Sequence, residues 1–175
     1  VIGLIDSAGL RLQEATDALN AFGEIYMKQT LASGVIPQIT AIFGACGGGL
    51  ALFPTMTDFT FMEGKSAKLF VNAPNALDGN NTSKCDSSAA KFQAEEAGIV
   101  DVVADEADVL AQIRALIGFL PANNEDEAAS DNCDDDLNRE LPGFLSEYAD
   151  PAKALTDISD SGVFFEVKKE FAKDM

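Results

Sequence analysis

Between Gly44 and Gly49 the chain reads Gly-Ala-Cys-Gly-Gly-Gly, four glycines in six residues. An apolar run from Val35 to Phe43 leads into them, and small apolar residues continue through Phe53. This pattern predicts a buried strand that ends, a turn too tight for side chains, and the start of a helix. Glycine permits backbone angles closed to other residues and lets a ligand lie directly on the main chain. A helix start adds free N–H groups and a partial positive charge. Such a corner can hold an oxyanion or a phosphate. Close helix–strand packing, or a strained turn with no ligand, is the alternative at this point. The glycines spell neither G-x-G-x-x-G nor G-x-x-x-x-G-K-[ST], so dinucleotide and P-loop readings gain no support.

With 175 residues the chain can build one sizeable core and a linker. It opens directly on an apolar strand at Val1, and the expectation is a segment of a longer polypeptide. No export signal and no apolar run near the roughly 20 residues of a membrane span are visible. Cys46, Cys85 and Cys133 are odd in number and lack C-x-x-C spacing, which points to free thiols in the cytoplasm. The chain has no histidine, so Cys46 reads as a small buried residue and not as a nucleophile.

The formal net charge is −17. Residues 1–120 carry 7 basic and 14 acidic side chains; residues 121–175 carry 5 and 15. A surface of this sign disfavours nucleic acid and anionic membranes as partners, while one small anion held by a few lysines and helix ends stays open. The missing histidines remove the commonest general base and metal ligand. No metal is expected, and chemistry must rest on backbone donors, carboxylates or a cofactor.

Along the chain, Val1–Ile5 reads as a strand buried in a parallel sheet, ending at the turn Asp6-Ser7-Ala8-Gly9. From Arg11 to Ser33 the spacing predicts a helix with Leu12, Ala15, Leu19, Phe22, Ile25 or Tyr26, and Gln29 on one face, closed by Gly34. Strand Val35–Phe43 completes a right-handed βαβ unit. Beyond the glycines come a short helix at Leu50–Phe53, strands at Asp58–Met62 and Lys68–Val71, and a helical turn at Pro74–Leu77. A loop at 78–82, a helix over Ser87–Ala97 and a strand at Ile99–Val103 follow. Asp105 is expected to cap an amphipathic helix that Pro121 ends. The alternation argues for a layered α/β domain. Residues 123–138 are acidic and read as a solvated linker or surface excursion. Short helices are expected at Ala152–Ile158 and Ser161–Phe171.

Four ordered motifs then carry a resemblance. Ile5-Asp-Ser-Ala-Gly-Leu-Arg-Leu-Gln-Glu14, Ala32-Ser-Gly-Val-Ile-Pro-Gln-Ile39, Gly44-Ala-Cys-Gly-Gly-Gly49 and Thr57-Asp-Phe-Thr-Phe-Met62 resemble the carboxyltransferase subunits of biotin-dependent acyl-CoA carboxylases and decarboxylases. Those show D-S-G-G-A-R-x-Q-E, A-S-G-V-I-P-Q-I, G-P-C-A-G-G and T-D-F-T-x-M at similar spacing. The resemblance implies a crotonase-like ββα superhelix, of which this chain is the second half of the amino-terminal, acyl-CoA-binding domain. By that reading residues 1–120 belong to this domain and 121–150 form an acidic linker. Residues 151–175 lead into a biotin-binding domain not contained in the chain. The 175 residues alone are therefore expected to be inactive.

The implied activity is transfer of a carboxyl group between carboxybiotin and the α-carbon of a small acyl-CoA, through an enolate. Gly48 and Gly49 would form the oxyanion hole, with Ala8 and Gly9 lining the same pocket. Ser7, Arg11, Gly47, Lys65 and Lys68 would contact CoA, with Lys84 a further cation for its phosphates. Biotin would arrive on a biotin carboxyl carrier protein, alongside biotin carboxylase or decarboxylase subunits. The full-length protein would be a dimer-based homo-oligomer, a hexamer among the options. The chain departs from the family pattern at Ala8 (glycine there), Leu10 (alanine) and Gly47 (alanine). It also lacks the family's glycine- and histidine-bearing stretch over 78–98. Two other readings stand beside this one: a crotonase-type hydratase or isomerase with Glu14 as acid/base, and a non-catalytic assembly piece docking through the acidic segment. Within the motif Glu14 reads first as a structural cap or an ion-pair partner for Arg11.

Overall fold

A computed structural model describes residues 1–76, 82–127, 133–141, 143, 146 and 151–173. The chain divides into two compact units, Val1–Ala128 with Val167–Met175, and Ala129–Glu166. The first holds five strands: β1 (Ile2–Ser7), β2 (Ile39–Gly47), β3 (Phe59–Glu63), β4 (Lys68–Phe70) and β5 (Val102–Ala104). They form one sheet in the order β1-β2-β3-β5, with β4 beside the far half of β2. Every strand pairing is parallel, as expected of strands joined by helical crossovers.

β2 is the axis of this sheet and changes partners along its length. Residues Ile39–Ile42 pair with Phe59–Met62 of β3, whereas Ala45–Gly47 pair with Lys68–Phe70 of β4. On its other side the register with β1 slips at the same place, from Ile5↔Ile42 to Ser7↔Cys46. One residue of β1, Asp6, thus stands against three of β2.

This moves two boundaries read from the sequence. The strand expected over Val35–Phe43 starts only at Ile39, because residues 33–36 turn back on the end of the preceding helix, with the Val35 and Ile36 amides on the Ala32 carbonyl. It then runs on through Gly44 to Gly47, because β4 supplies a ladder for it. The glycine corner proper is therefore Gly47–Gly49, continuing into a 3-10 turn at Gly48–Ala51 and a short helix, α2 (Leu52–Thr55).

The helix expected over Arg11–Ser33 is broken near its start. Leu12–Glu14 form a 3-10 turn, Ala15 takes φ 42°, and α1 runs over Ala15–Ala32. Phe22 and Tyr26 are half-buried and Gln29 is buried, but Leu12 and Leu19 of the expected inner face are exposed. Helices α3 (Ala90–Glu95) and α4 (Glu106–Phe119) follow. Asp105 caps α4 as read, accepting the Asp108 amide at 3.0 Å. Gly98, at φ 65°, closes the α3 region as read. The core gathers Ile5, Ile42, Cys46, Met62, Leu69 and Val100 beneath the glycine corner.

The 3-10 turn at Pro74–Ala76 matches the expected helical turn, while Leu77 and most of the loop at 78–82 lie outside the described residues. In the second unit α5 (Pro151–Ile158) answers the helix read at Ala152–Ile158. The helix expected over Ser161–Phe171 does not form. Ser161 and Lys168 both take positive φ, 54° and 55°, which interrupts a right-handed helix. Lys168 instead donates its ammonium to the Gly98 carbonyl and pairs with Asp101 at 3.2 Å. Among the described residues no helix is long and apolar enough to cross a membrane.

Candidate functional site

Strand β1 ends at Ser7 and β2 at Gly47, both at the carboxyl edge of a parallel sheet, where ligands collect in such folds. The Ser7 hydroxyl and the Gly9 main chain close the first turn, with the Gly9 amide 3.4 Å from Ser7 Oγ. Gly9 takes φ 124°, a backbone form open to glycine. Ala8 does not take a positive φ, so alanine is accommodated there while the second glycine of the family pattern, Gly9, supplies the freedom.

The two turns lie main chain against main chain. A side-chain atom built on Gly9 would stand 3.1 Å from the Gly47 carbonyl oxygen, and one on Gly48 3.9 Å from Gly9 Cα. Gly47 is fully extended (φ −122°, ψ 161°) and Gly48 turns sharply to φ 61°. A 3-10 turn that begins at Gly48 leaves its leading amides, those of Gly48 and Gly49, without an intrahelical acceptor. Gly48 lies against Gly9, while Gly49 lies against Tyr26 and Phe22. Main-chain donors at such a corner are of the kind that can stabilise charge developing on a carbonyl oxygen.

Groups behind the corner hold it. Asp6 Oδ1 accepts the Ala45 amide at 3.0 Å, and its carboxylate fills the space a side chain on Gly44 would need. The Tyr26 hydroxyl donates to the Gly49 carbonyl. Burial pushes the Tyr26 phenol up from its ordinary value, and Cys46 adds to the shift. Cys46 is buried and its thiol is pushed up to about 12 by desolvation, so it is an inert core residue, as read. Sequence reasoning gave Asp6 only a place in its turn and saw Tyr26 only as a helix-face residue. The sole local signal was that Asp6 immediately precedes the turn.

The next loop along the edge is fastened by Glu63. Its buried carboxylate accepts from the amides of Lys65 and Ser66 and from the Ser66 hydroxyl. These bonds, led by the Ser66 amide, hold it below the usual carboxylate range. Further on, Lys68 Nζ reaches Asp86 at 2.7 Å, which together with Ser88 lowers the Asp86 carboxyl.

The cations read as CoA contacts are distributed unequally. Lys68 lies on β4, opposite Ala45 and two residues before the register position of Gly47, but is engaged by Asp86. Arg11 is exposed and pairs with Glu14 at 3.3 Å, the ion pair read from the motif. Lys65 and Lys84 are exposed. Clefts of about 240–260 Å³ open at the opposite edge, around Pro37, Phe59, Leu120 and Pro121. In the second unit Cys133, Asp135 and Asp160 bring one ligand atom each within 4.8 Å of one another, but Arg139 already occupies Asp135.

Comparison with known proteins identifies the family. A family model described as "Carboxyl transferase domain" matches residues 1–175. The chain is 35% identical to the methylmalonyl-CoA decarboxylase subunit alpha of Propionigenium modestum, over all of this chain and 36% of that protein. It is 37% identical to the propionyl-CoA carboxylase carboxyltransferase subunit of Haloferax mediterranei, again over all of this chain and 36% of the relative. Among solved structures, transcarboxylase 12S with hydrolysed methylmalonyl-coenzyme A bound superposes with a TM-score of 0.89 at 29% identity, covering 98% of this chain and 35% of that one. The chain thus spans about a third of the length of the relatives it matches. Its parallel α/β layers are those of the carboxyltransferase, crotonase-like fold. On the strength of the family match along its whole length and of relatives above 30% identity, this chain belongs to the carboxyl transferase domain family.

Proposed function

We propose that the protein is the carboxyltransferase component of a biotin-dependent acyl-CoA carboxylase or decarboxylase, acting on a small acyl-CoA in the cytoplasm. The observation that carries this reading is the meeting of the Ala8–Gly9 and Gly47–Gly49 main chains at the carboxyl edge of the sheet. The thioester carbonyl would sit against the Gly48 and Gly49 amides, with Ala8 and Gly9 forming the facing wall. Removing a proton or a carboxyl group from the α-carbon moves charge onto that carbonyl oxygen. Fixed amides answer it with no reorganisation, and one such donor is worth roughly 2.7–4 kcal/mol in barrier height.

Biotin, brought on a carrier protein, supplies or accepts the carboxyl group. This chain's own part is to bind CoA, hold the thioester and stabilise its enolate. Ser7, Gly47 and Lys65 stand nearest that task, since Lys65 is exposed and joins no ion pair among the described residues. Arg11 and Lys68 would reach the CoA phosphates by exchanging Glu14 and Asp86 for them. The biotin carboxyl carrier protein, biotin carboxylase or decarboxylase subunits, and further copies in a dimer-based oligomer would complete the enzyme.

The test is carboxyl exchange by the complete protein with a biotinylated carrier, across acetyl-, propionyl-, methylmalonyl- and glutaconyl-CoA. Exchange with at least one is expected, and none with all four refutes the reading.

A further inference from the structure

The residues that carry the proposed oxyanion contact have no side chains, so nothing of their own fixes their direction. Glycine is also the residue with most conformational freedom to lose. What fixes the corner must come from outside it, and two side chains reach it from opposite ends.

At the entering end the register of β1 against β2 slips, and Asp6 fills the gap. Its Oδ1 takes the Ala45 amide at 3.0 Å across 39 residues of sequence. Ala45 is already on the segment of β2 that pairs with β4 and ends in Gly47. Asp6 is also the residue before Ser7, where the facing turn begins. One carboxylate therefore sets the height of both turns relative to each other.

At the leaving end the Tyr26 hydroxyl of α1 donates to the Gly49 carbonyl, which also receives the Leu52 amide. A peptide unit is planar and its C=O and N–H point in opposite directions. Pinning the Gly49 carbonyl toward α1 therefore fixes the Gly49–Leu50 plane, and the Gly49 amide, in the plane before it, can turn relative to that plane only about the two Gly49 torsions. The Tyr26 ring is itself held by Phe22, stacked with centroids 6.0 Å apart. With its pKa raised by burial, the hydroxyl stays protonated and remains a donor throughout the neutral range. A side chain on Gly49 would stand 3.1 Å from that hydroxyl, a tight contact that would press on the tyrosine.

We propose that Asp6 and Tyr26 are positioning residues for carboxyl transfer, clamping the glycine corner from its two ends and so aiming the Gly48 and Gly49 amides. This deepens the function proposed above and rests on it. Neither side chain touches the reacting atoms; both act through the backbone.

Three variants of the complete protein test this with a biotinylated carrier. Tyr26→Phe removes one oxygen and keeps the ring. It should lower kcat roughly three- to tenfold, with the acyl-CoA KM within about twofold of wild type. Asp6→Ala should give a similar split, and Asp6→Asn, which keeps an acceptor oxygen, should recover most of the loss. Hydrogen exchange read by mass spectrometry should rise over residues 47–50 in Tyr26→Phe and stay unchanged over β3. Wild-type kcat together with unchanged exchange at 47–50 overturns the clamp. So does a loss of melting temperature that leaves kcat intact, or an Asp6→Asn as impaired as Asp6→Ala. If wild type transfers nothing to any acyl-CoA, the functional reading falls, and the exchange comparison still decides whether the corner is clamped.

Discussion

The ring of Phe70 lies 2.6 Å from where the first side-chain atom of residue 47 would stand, and the Ala8 carbonyl oxygen lies as close. Gly47 is thus enclosed by an aromatic wall and by the facing turn. The resembling family reverses the sizes here, with glycine at the position of Ala8 and alanine at that of Gly47. Gly47→Ala alone should therefore cost about 1–3 kcal/mol through overpacking and depress transfer. Adding Ala8→Gly frees the facing backbone to withdraw, and should restore part of both. A double-mutant cycle on melting temperature and transfer rate checks it; strictly additive effects would show that the two turns do not adjust together.

Gly48 is constrained by angle and not by space. Its φ is 61°, and the nearest atom to an added side chain is Gly9 Cα at 3.9 Å. Gly48→Ala should cost about 1–2 kcal/mol, the penalty of left-handed backbone for an ordinary residue, and should reduce transfer more than Gly23→Ala on open helix surface. Gly48→Asn should be milder, since asparagine tolerates that region. Denaturant titration alongside carboxyl exchange separates the two.

Glu63 links the loop beside the site to pH. Its carboxyl is held below its ordinary value of 4.5 by the Ser66 and Lys65 amides and the Ser66 hydroxyl. A depressed carboxylate contributes its full stability above that ordinary value and loses it as pH falls through the lower folded value. Glu63→Gln should therefore lower stability by about 2 kcal/mol at pH 7, and the gap to wild type should close in acid. Urea titrations at neutral pH and well below 4.5 decide; a gap independent of pH would mean that packing, not charge, is what Glu63 contributes.

The three cysteines should separate by accessibility. Cys85 and Cys133 are exposed, whereas Cys46 is buried with its thiol pushed up to about 12. A thiol reagent at pH 8 should modify two groups in the native protein and a third only in denaturant. Rapid native modification of Cys46 would mean that the core beneath the glycine corner opens.

Much of the scaffold was legible because it depends on neighbours in sequence. The alternation of apolar runs with helical spacing foretold parallel strands, and Asp105 announced the helix it caps. The four motifs pointed to the family and placed both turns at strand ends. The misplacements share a cause. Strand β2 runs on to Gly47 because β4, more than twenty residues later, pairs with it. The helix expected after Ser161 is absent because Lys168 is drawn to Gly98 and Asp101, about seventy residues earlier. Leu12 and Leu19 fit the apolar stripe read for the first helix, yet Leu12 falls in the 3-10 turn before α1 and both are exposed.

By itself the sequence determined that glycines would crowd at the end of a buried strand, that these 175 residues bring no histidine to the site, and that their cations are few. Those are properties of composition and local order. Only the tertiary structure decided that the two turns touch, that Asp6 bridges them through Ala45, and that Tyr26 holds Gly49 from α1. The physical reason is separation along the chain. A hydrogen bond across 23 or 39 residues leaves no periodicity and no spacing to read, and exists only once the sheet has brought its ends together.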